Sequence, residues 1–264
     1  MSGGEETLAS DLIHTVSIVR YCNGELRSER DRIIREECLE IWAHKHYLTR
    51  TVCLPENDEW LALGWCHSMG LISSRSDVLA MHRSREGQIT RLEMTFTPHV
   101  QDKLKTMRKK SGPAPTRYET GVPQVRAGSL LSVDSLFQAS TIQKSGQVLF
   151  QATGGTHSAA LFGPGLRLIA MAEDVGRHNA LDKVIGQTLG EQLNNSVLLI
   201  LSSRLNSEMV GKAVQAEIPF LAGISAPTQS GVELAEQSGM TLIGFLRPGR
   251  FNLYTHAWRL CQDS

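Results

Sequence analysis

The 264-residue chain balances 27 lysines and arginines against 27 aspartates and glutamates, which excludes a molecule-wide attraction for polyanions and leaves any charged ligand to a local site. With 41% hydrophobic and 20% charged residues it has an ordinary globular composition, enough for a core without disulfides or a structural metal. The longest strongly apolar runs, such as residues 197–201, are far too short for a bilayer, so neither a membrane nor nucleic acid is expected as a partner.

The acidic, polar opening MSGGEETLAS lacks the basic-then-apolar pattern of a signal peptide, and cytoplasmic residence is the expectation. Five cysteines are scattered through the chain: Cys22, Cys38, Cys53, Cys66 and Cys261. No two stand at the spacing of a zinc knuckle or a dithiol redox motif. They are expected to be buried or half-buried thiols in a reducing compartment.

In chain order, Val16, Ile18 and Leu39, Ile41 mark short alternating strands. Asn57 is expected to cap a helix through Trp60, Leu61, Leu63 and Trp65. Leu92, Met94 and Phe96 give a further strand at period two, and a basic helix is expected over 99–110. This first half reads as a small α+β module. Residues 111–128, SGPAPTRYETGVPQVRAG, break every periodicity with three prolines and three glycines. Between positions 101 and 127, seven basic residues face Asp102 and Glu119, a local charge of +5. Such a loop is either a solvated linker with charged flanks or an arm that approaches an anionic ligand.

Ser132 is expected to cap a helix to about residue 144, followed by a strand over 147–152. Residues 158–162 and 166–172 suggest a hairpin turned at Gly163-Pro164-Gly165, and a helix follows from residue 179. Strands over 197–201, 220–224 and 241–245 then alternate with helices over 207–217 and 229–237, which implies right-handed crossovers and a parallel sheet. Residues 251–254 are expected to close that sheet antiparallel. The division expected is an α+β subdomain over 11–128 and an α/β domain over 129–264.

Small and polar residues follow the expected strands: Thr153-Gly154-Gly155-Thr156-His157, Ser202-Ser203-Arg204, Ser225-Ala226-Pro227-Thr228 and the run from Arg247 to Arg250. In a parallel sheet these segments share the carboxyl edge, where open α/β folds bind ligands. Uncapped helix starts favour anions there, and an arginine on a phosphate adds a charge-assisted bond. The densest polar cluster is Glu173-Asp174-Val175-Gly176-Arg177-His178-Asn179. Asp174 either caps the helix or orients His178 as a base; with no nucleophile in view, ligand binding is the preferred reading. Zinc-deaminase, phosphate-loop and dinucleotide-fingerprint patterns are absent from the sequence.

Five strings carry a family resemblance: TGGTHSAALF (153–162), EDVGRHNALDKVIG (173–186), SSRLNSEMVGKA (202–213), SAPTQSGVELAE (225–236) and GFLRPGRFNLYTH (244–256). On these the chain resembles the formate dehydrogenase accessory proteins of the FdhD/NarQ family, with EECLEIWAH and LALGWCHSMGLI matching more loosely in the first half. The resemblance implies an α/β, cytidine-deaminase-like C-terminal domain with a mainly parallel sheet but no zinc, a smaller α+β N-terminal subdomain, and a homodimer. It also implies sulfur taken from a cysteine desulfurase and passed to molybdenum bis(molybdopterin guanine dinucleotide), bound as cargo before insertion into formate dehydrogenase. The implied cofactor segment is Phe245, Leu246, Arg247, Pro248, Gly249 and Arg250, to which motif position and chemistry add His157, Arg177 and His178. The family's sulfur carriers hold a C-x-x-C pair in the loop before TGG, where this chain has Ser111-Gly112-Pro113-Ala114-Pro115-Thr116-Arg117. A persulfide needs a thiolate, so sulfur transfer through a displaced cysteine stays open beside binding and delivery of the cofactor, or of a related guanine nucleotide, without it; a third reading is an enzyme acting on a nucleotide through Asp174 and His178.

Overall fold

The computed structural model describes residues 11–109 and 121–261; the proline-rich loop expected from 111 lies outside the described residues up to position 120. Ile13–Cys22 (β1) and Glu25–Ile34 (β2) form a two-stranded antiparallel ribbon. Its turn is Asn23-Gly24, both at positive φ (51° and 91°), the pair that suits a tight hairpin following the strands' twist. β2 is too rich in charge to show in an apolar pattern. It is held instead by its ladder and by cross-strand pairs such as Arg20–Glu29 at 2.7 Å.

Glu37–Ala43 (β3), His46–Cys53 (β4), Val78–Glu86 (β5) and Ile89–Phe96 (β6) make a sheet of order β4-β3-β6-β5. Period two sets its faces: Leu39, Ile41, Leu92, Met94 and Phe96 are buried against Leu61 of Asp58–Ser68 (α1). Asn57 precedes α1 with φ 57° and makes no side-chain cap, because a capping side chain needs an extended backbone. The basic helix is present as Pro98–Lys109 (α2).

The second half contains Leu131–Ser132 (β7), Val133–Ser145 (α3), Val148–Thr153 (α4), His157–Phe162 (β8), Leu168–Asp174 (β9) and Arg177–Thr188 (α5). Glu191–Asn194 (α6), Leu198–Leu201 (β10), Ser207–Gln215 (α7), Phe220–Gly223 (β11), Gln229–Gln237 (α8), Thr241–Arg247 (β12), Arg250–Leu253 (β13) and Leu260–Cys261 (β14) follow. Six strands form one sheet of order β13-β12-β11-β10-β8-β9. Leu199 and Leu201 point to the core shared with α5, α7 and α8, while Leu198 and Ile200 point to the opposite core under α3.

The α/β architecture holds, but the sheet is mixed rather than mainly parallel. Parallel pairing is confined to β10, β11 and β12. Short connections reverse the chain at β8–β9 and at β12–β13, and such turns produce antiparallel neighbours. Residues 147–152 also differ from the expected strand: they lie mostly in helix α4. Over six residues an apolar run does not separate helix from strand. The remote Glu173 decides, because its carboxylate accepts from the Leu149 and Phe150 amides at 2.8 Å each and completes the first turn.

The two halves meet where α1 crosses α5. A β-carbon on Gly64 would stand 1.8 Å from the Asp182 carbonyl oxygen, and one on Gly186 would stand 1.9 Å from that of Trp60. Glycine is required at both positions for this close approach. Val125, from the described part of the long loop, packs into the second-half core, with its amide on the Ser238 carbonyl.

Candidate functional site at the carboxyl edge of the sheet

β8 runs antiparallel to β10, so its first residue, His157, stands at the edge where β10 ends in Ser202, Ser203 and Arg204. β9 returns to the same edge and delivers Asp174 opposite His157. The loops are laced laterally: the Leu205 amide donates to the Ala226 carbonyl, the Thr228 amide to that of Leu205, and the Phe245 amide to that of Ser225. Asn206 and Thr228 cap α7 and α8 by accepting from the Met209 and Gly231 amides at 3.2 and 3.3 Å. These two side chains are therefore committed to structure.

α5 begins differently. Its N-cap is Gly176, which supplies no side-chain cap, so the first-turn amides face the edge without one. A β-carbon there would meet the Asn179 amide nitrogen at 2.6 Å. Arg177 opens the helix, and its guanidinium makes no hydrogen bond or ion pair among the described residues, although its Nε is closed off from solvent. His157 places Nδ1 3.3 Å from Ser202 Oγ. Burial first, and the Arg177 cation second, hold the His157 imidazole below its usual titration range. For His178 the order is burial, then the Lys212 and Arg177 cations, and these outweigh the neighbouring Glu208. Among the described residues, the edge at α5 thus presents uncapped first-turn amides, one unpaired guanidinium and two imidazoles held below their usual range.

Asp174 is no partner for His178. It is fully buried, ion-paired to Lys183 Nζ at 2.7 Å, and accepts from the Leu54 and Gly176 amides and from Asn179 Nδ2. The His178 ring instead sets Nε2 2.9 Å from Glu208 Oε2. The orienter-and-base reading of Asp174 and His178 is accordingly corrected: the carboxylate is spent on the α5 start and on Leu54 of the first half.

Phe245, Leu246, Arg247, Pro248, Gly249 and Arg250 form the β12–β13 hairpin. Gly249 has φ 72°, and Arg247 stands opposite Arg250 in the ladder. Leu246 is buried; the others are exposed. Arg247 donates to the Ile224 and Leu246 carbonyls at 2.6 and 2.8 Å, so it braces the loop, while Arg250 is free to meet a ligand. Phe245 holds φ 53° beside a bulge and remains 43% exposed, a left-handed backbone that is unusual for a bulky residue. The structure brings His157, Arg177 and His178 together but not with this hairpin. From β8 to β12 is three strand spacings, roughly 14 Å.

Next to His178 a cleft of about 310 Å³ opens between the halves. One wall is polar, built from α5 and α7: His178 faces Glu208, and one helical turn deeper Asp182 pairs with Lys212. The other wall is Ile41, Thr49, Arg50 and Thr51 of the first sheet with Leu61, Trp65 and Met69 of α1 or its end. Glu208 and Lys212 were not singled out in the sequence, although their spacing of four on one helix face within SSRLNSEMVGKA was the available signal.

Among the cysteines, Cys53 and Cys66 are buried, and burial pushes both thiols well above their usual range. Cys22 is exposed at the end of β1, and Cys38 and Cys261 are half-buried. Cys38 Sγ lies 2.7 Å from Arg50 Nε.

Comparison with known proteins agrees with this architecture. The model of the FdhD/NarQ family matches residues 34–261. A sulfur carrier protein FdhD from Sulfolobus acidocaldarius is 33% identical, over 94% of this chain and 98% of its own. One of the same description from Nocardia farcinica is 36% identical, over 90% of each chain. A crystal structure described as a candidate formate dehydrogenase accessory protein from Desulfotalea psychrophila superposes with a TM-score of 0.78 at 24% identity, over 95% of this chain and all of that one. The chain belongs to the FdhD/NarQ family.

Proposed function

We propose that the protein is an accessory factor for formate dehydrogenase that binds molybdenum bis(molybdopterin guanine dinucleotide) as cargo and supports its sulfuration or delivery before insertion. The observation that carries this reading is the unpaired Arg177 guanidinium at an uncapped helix start, beside His157 and His178. A phosphate there gains about 0.3–1 kcal/mol from the helix end and about 1.5–3 kcal/mol from a charge-assisted arginine bond. Arg250, on β13, offers a second cationic contact four strand spacings, roughly 19 Å, from His157 on β8, which suits an elongated ligand with several phosphates better than a mononucleotide. Arg177, His157, His178 and the hairpin from Phe245 to Arg250 would hold that cargo. The cargo supplies the redox chemistry of the enzyme that receives it; this chain binds and orients. The names of the relatives, sulfur carrier protein and formate dehydrogenase accessory protein, support the same role. A homodimer, with formate dehydrogenase and a cysteine desulfurase as transient partners, completes the proposal.

A second reading, delivery without sulfur transfer, is favoured by the cysteine-free stretch 111–117 and by the inert state of Cys53 and Cys66. The two separate by persulfide labelling after incubation with a cysteine desulfurase and free cysteine. Label on Cys22, Cys38 or Cys261 selects sulfur transfer; an unlabelled protein selects delivery alone. The accessory role itself is tested by removing the gene. Formate dehydrogenase activity should fall and return with the wild-type chain, but poorly with Arg177→Ala. Full activity without the gene contradicts the role.

A further inference from the structure

Ser202 follows the last residue of β10, and it closes the β8–β10 ladder with its side chain as well as its backbone. Its amide donates to the Ser158 carbonyl at 3.0 Å, and its Oγ accepts from the Ser158 amide at 3.0 Å. The hydroxyl oxygen thus stands where the Ser202 carbonyl would complete the pair if the strand continued. That bond fixes the side chain, and Nδ1 of His157 lies 3.3 Å from the same Oγ. One lone pair of Oγ is taken by the Ser158 amide. Among the described residues, the hydroxyl proton has His157 Nδ1 as its one acceptor. Burial and the Arg177 cation favour the uncharged ring, which has one bare nitrogen and one N–H. With Nδ1 bare and accepting from Ser202, the N–H is at Nε2, and Nε2 has no partner among the described residues.

We infer that Ser202 is a positioning residue for the phosphate site: it holds His157 in the tautomer that offers an Nε2–H donor to an anionic ligand. The ligand rests on the phosphate-binding reading; the tautomer rests only on the chain from the Ser158 amide through Ser202 to His157. The tautomer sets the sign of the contact. With its proton on Nε2, the imidazole joins the Arg177 guanidinium and the uncapped α5 amides in a site made of donors, which suits phosphate oxygens. With its proton on Nδ1, the ring would aim a bare lone pair at those oxygens and repel them. Hydrogen bonds in series polarise one another. The Ser158 amide makes the Ser202 hydroxyl a better donor, and a phosphate oxygen on Nε2–H makes Nδ1 a better acceptor, so a bound ligand should tighten the 3.3 Å contact. Ser202 also serves the charged ring: once the imidazole takes up a proton, the second lone pair of Oγ accepts from Nδ1–H. Alanine at 202 does neither, whereas threonine keeps the hydroxyl for both.

The test is nitrogen NMR of the imidazoles in the full chain, with calorimetric titration of inorganic pyrophosphate beside it. The chain has nine histidines, and the His157 signals are those lost in His157→Gln. In the free wild type at about pH 8, where the ring is uncharged, Nδ1 should show the shift of a bare nitrogen and Nε2 that of a protonated one. Ser202→Ala should mix the two tautomers and weaken pyrophosphate binding about three- to tenfold. Ser202→Thr should restore both the spectrum and the affinity. A protonated Nδ1 in the wild type overturns the inference, and so does Ser202→Ala with the spectrum and affinity of the wild type. Should Ser202→Ala fail to fold, the spectra of the wild type and of Ser202→Thr decide, since a protonated Nδ1 in either contradicts the tautomer. Failure of the phosphate reading looks different: a wild type with a bare Nδ1 that binds no pyrophosphate removes the ligand of this donor and leaves the tautomer standing.

Discussion

At the scale of single residues, polar side chains in the EDVGRHNALDK stretch divide by whether they are already paired. Asp174 and Lys183 are fully buried and hold one another, the α5 start and the Leu54 amide. Lys183→Met leaves that carboxylate without its cation, and breaking such a pair costs about 3–5 kcal/mol. Urea unfolding should show that loss; a change under about 1 kcal/mol would contradict the structural role. His157 and His178 behave oppositely. Burial holds both below the usual histidine range in the free protein, aided by the Arg177 cation at His157 and by the Lys212 and Arg177 cations at His178, and a bound phosphate would raise them. The bound state then carries more protons, so phosphate affinity should rise as pH falls from about 8 towards 6. Proton uptake, measured by calorimetry in buffers of different ionisation heat, should be smaller for His157→Gln than for the wild type. Equal uptake would remove His157 from the site. The sequence placed Arg177 and His178 at that edge because a strand end and a glycine turn are legible locally, but it put His157 there by way of a strand over 147–152 that is mostly helix α4. It could not show that Asp174 is spent, since its partners Leu54 and Lys183 come from the other half and from two turns along α5.

At the scale of elements, those with local signals were readable and those fixed from afar were not. The caps of α3, α7 and α8 come from Ser132, Asn206 and Thr228, each bonded to an amide three residues on. Strands β10, β11 and β12 are continuous apolar runs, as buried parallel strands should be. By contrast α4 depends on Glu173, more than twenty residues later, and β2 on a partner strand rather than on apolar alternation. The α1–α5 crossing is a third case: only contact reveals why Gly64 and Gly186 lack side chains. Gly64→Ala would drive a methyl into the Asp182 carbonyl, where the backbone has no room to give, and should cost about 3 kcal/mol or more. Thermal unfolding checks this. An unshifted midpoint would mean that the helices are not packed this closely.

At the scale of the whole molecule, the alternation of strands and helices disclosed an α/β second half, and the β8–β9 hairpin and the antiparallel β13 were legible with it, but not that β8 runs antiparallel to β10. That reversal brings His157 to the ligand edge from the start of a strand rather than from its end. The cleft with Glu208 and Lys212 was also out of reach, because it exists only once the first sheet and α1 close over α5 and α7. Two cationic stations, one at α5 and one at the β12–β13 hairpin, then lie along one edge of one sheet. The central claim is that this edge binds the phosphates of a guanine-bearing cofactor. It is tested most directly by titrating the full chain with GDP beside Arg177→Ala and Arg250→Ala. The account predicts saturable binding that falls about tenfold or more in at least one variant, from loss of a charge-assisted bond. No heat from the wild type at concentrations well above micromolar, or equal binding by all three proteins, would contradict it.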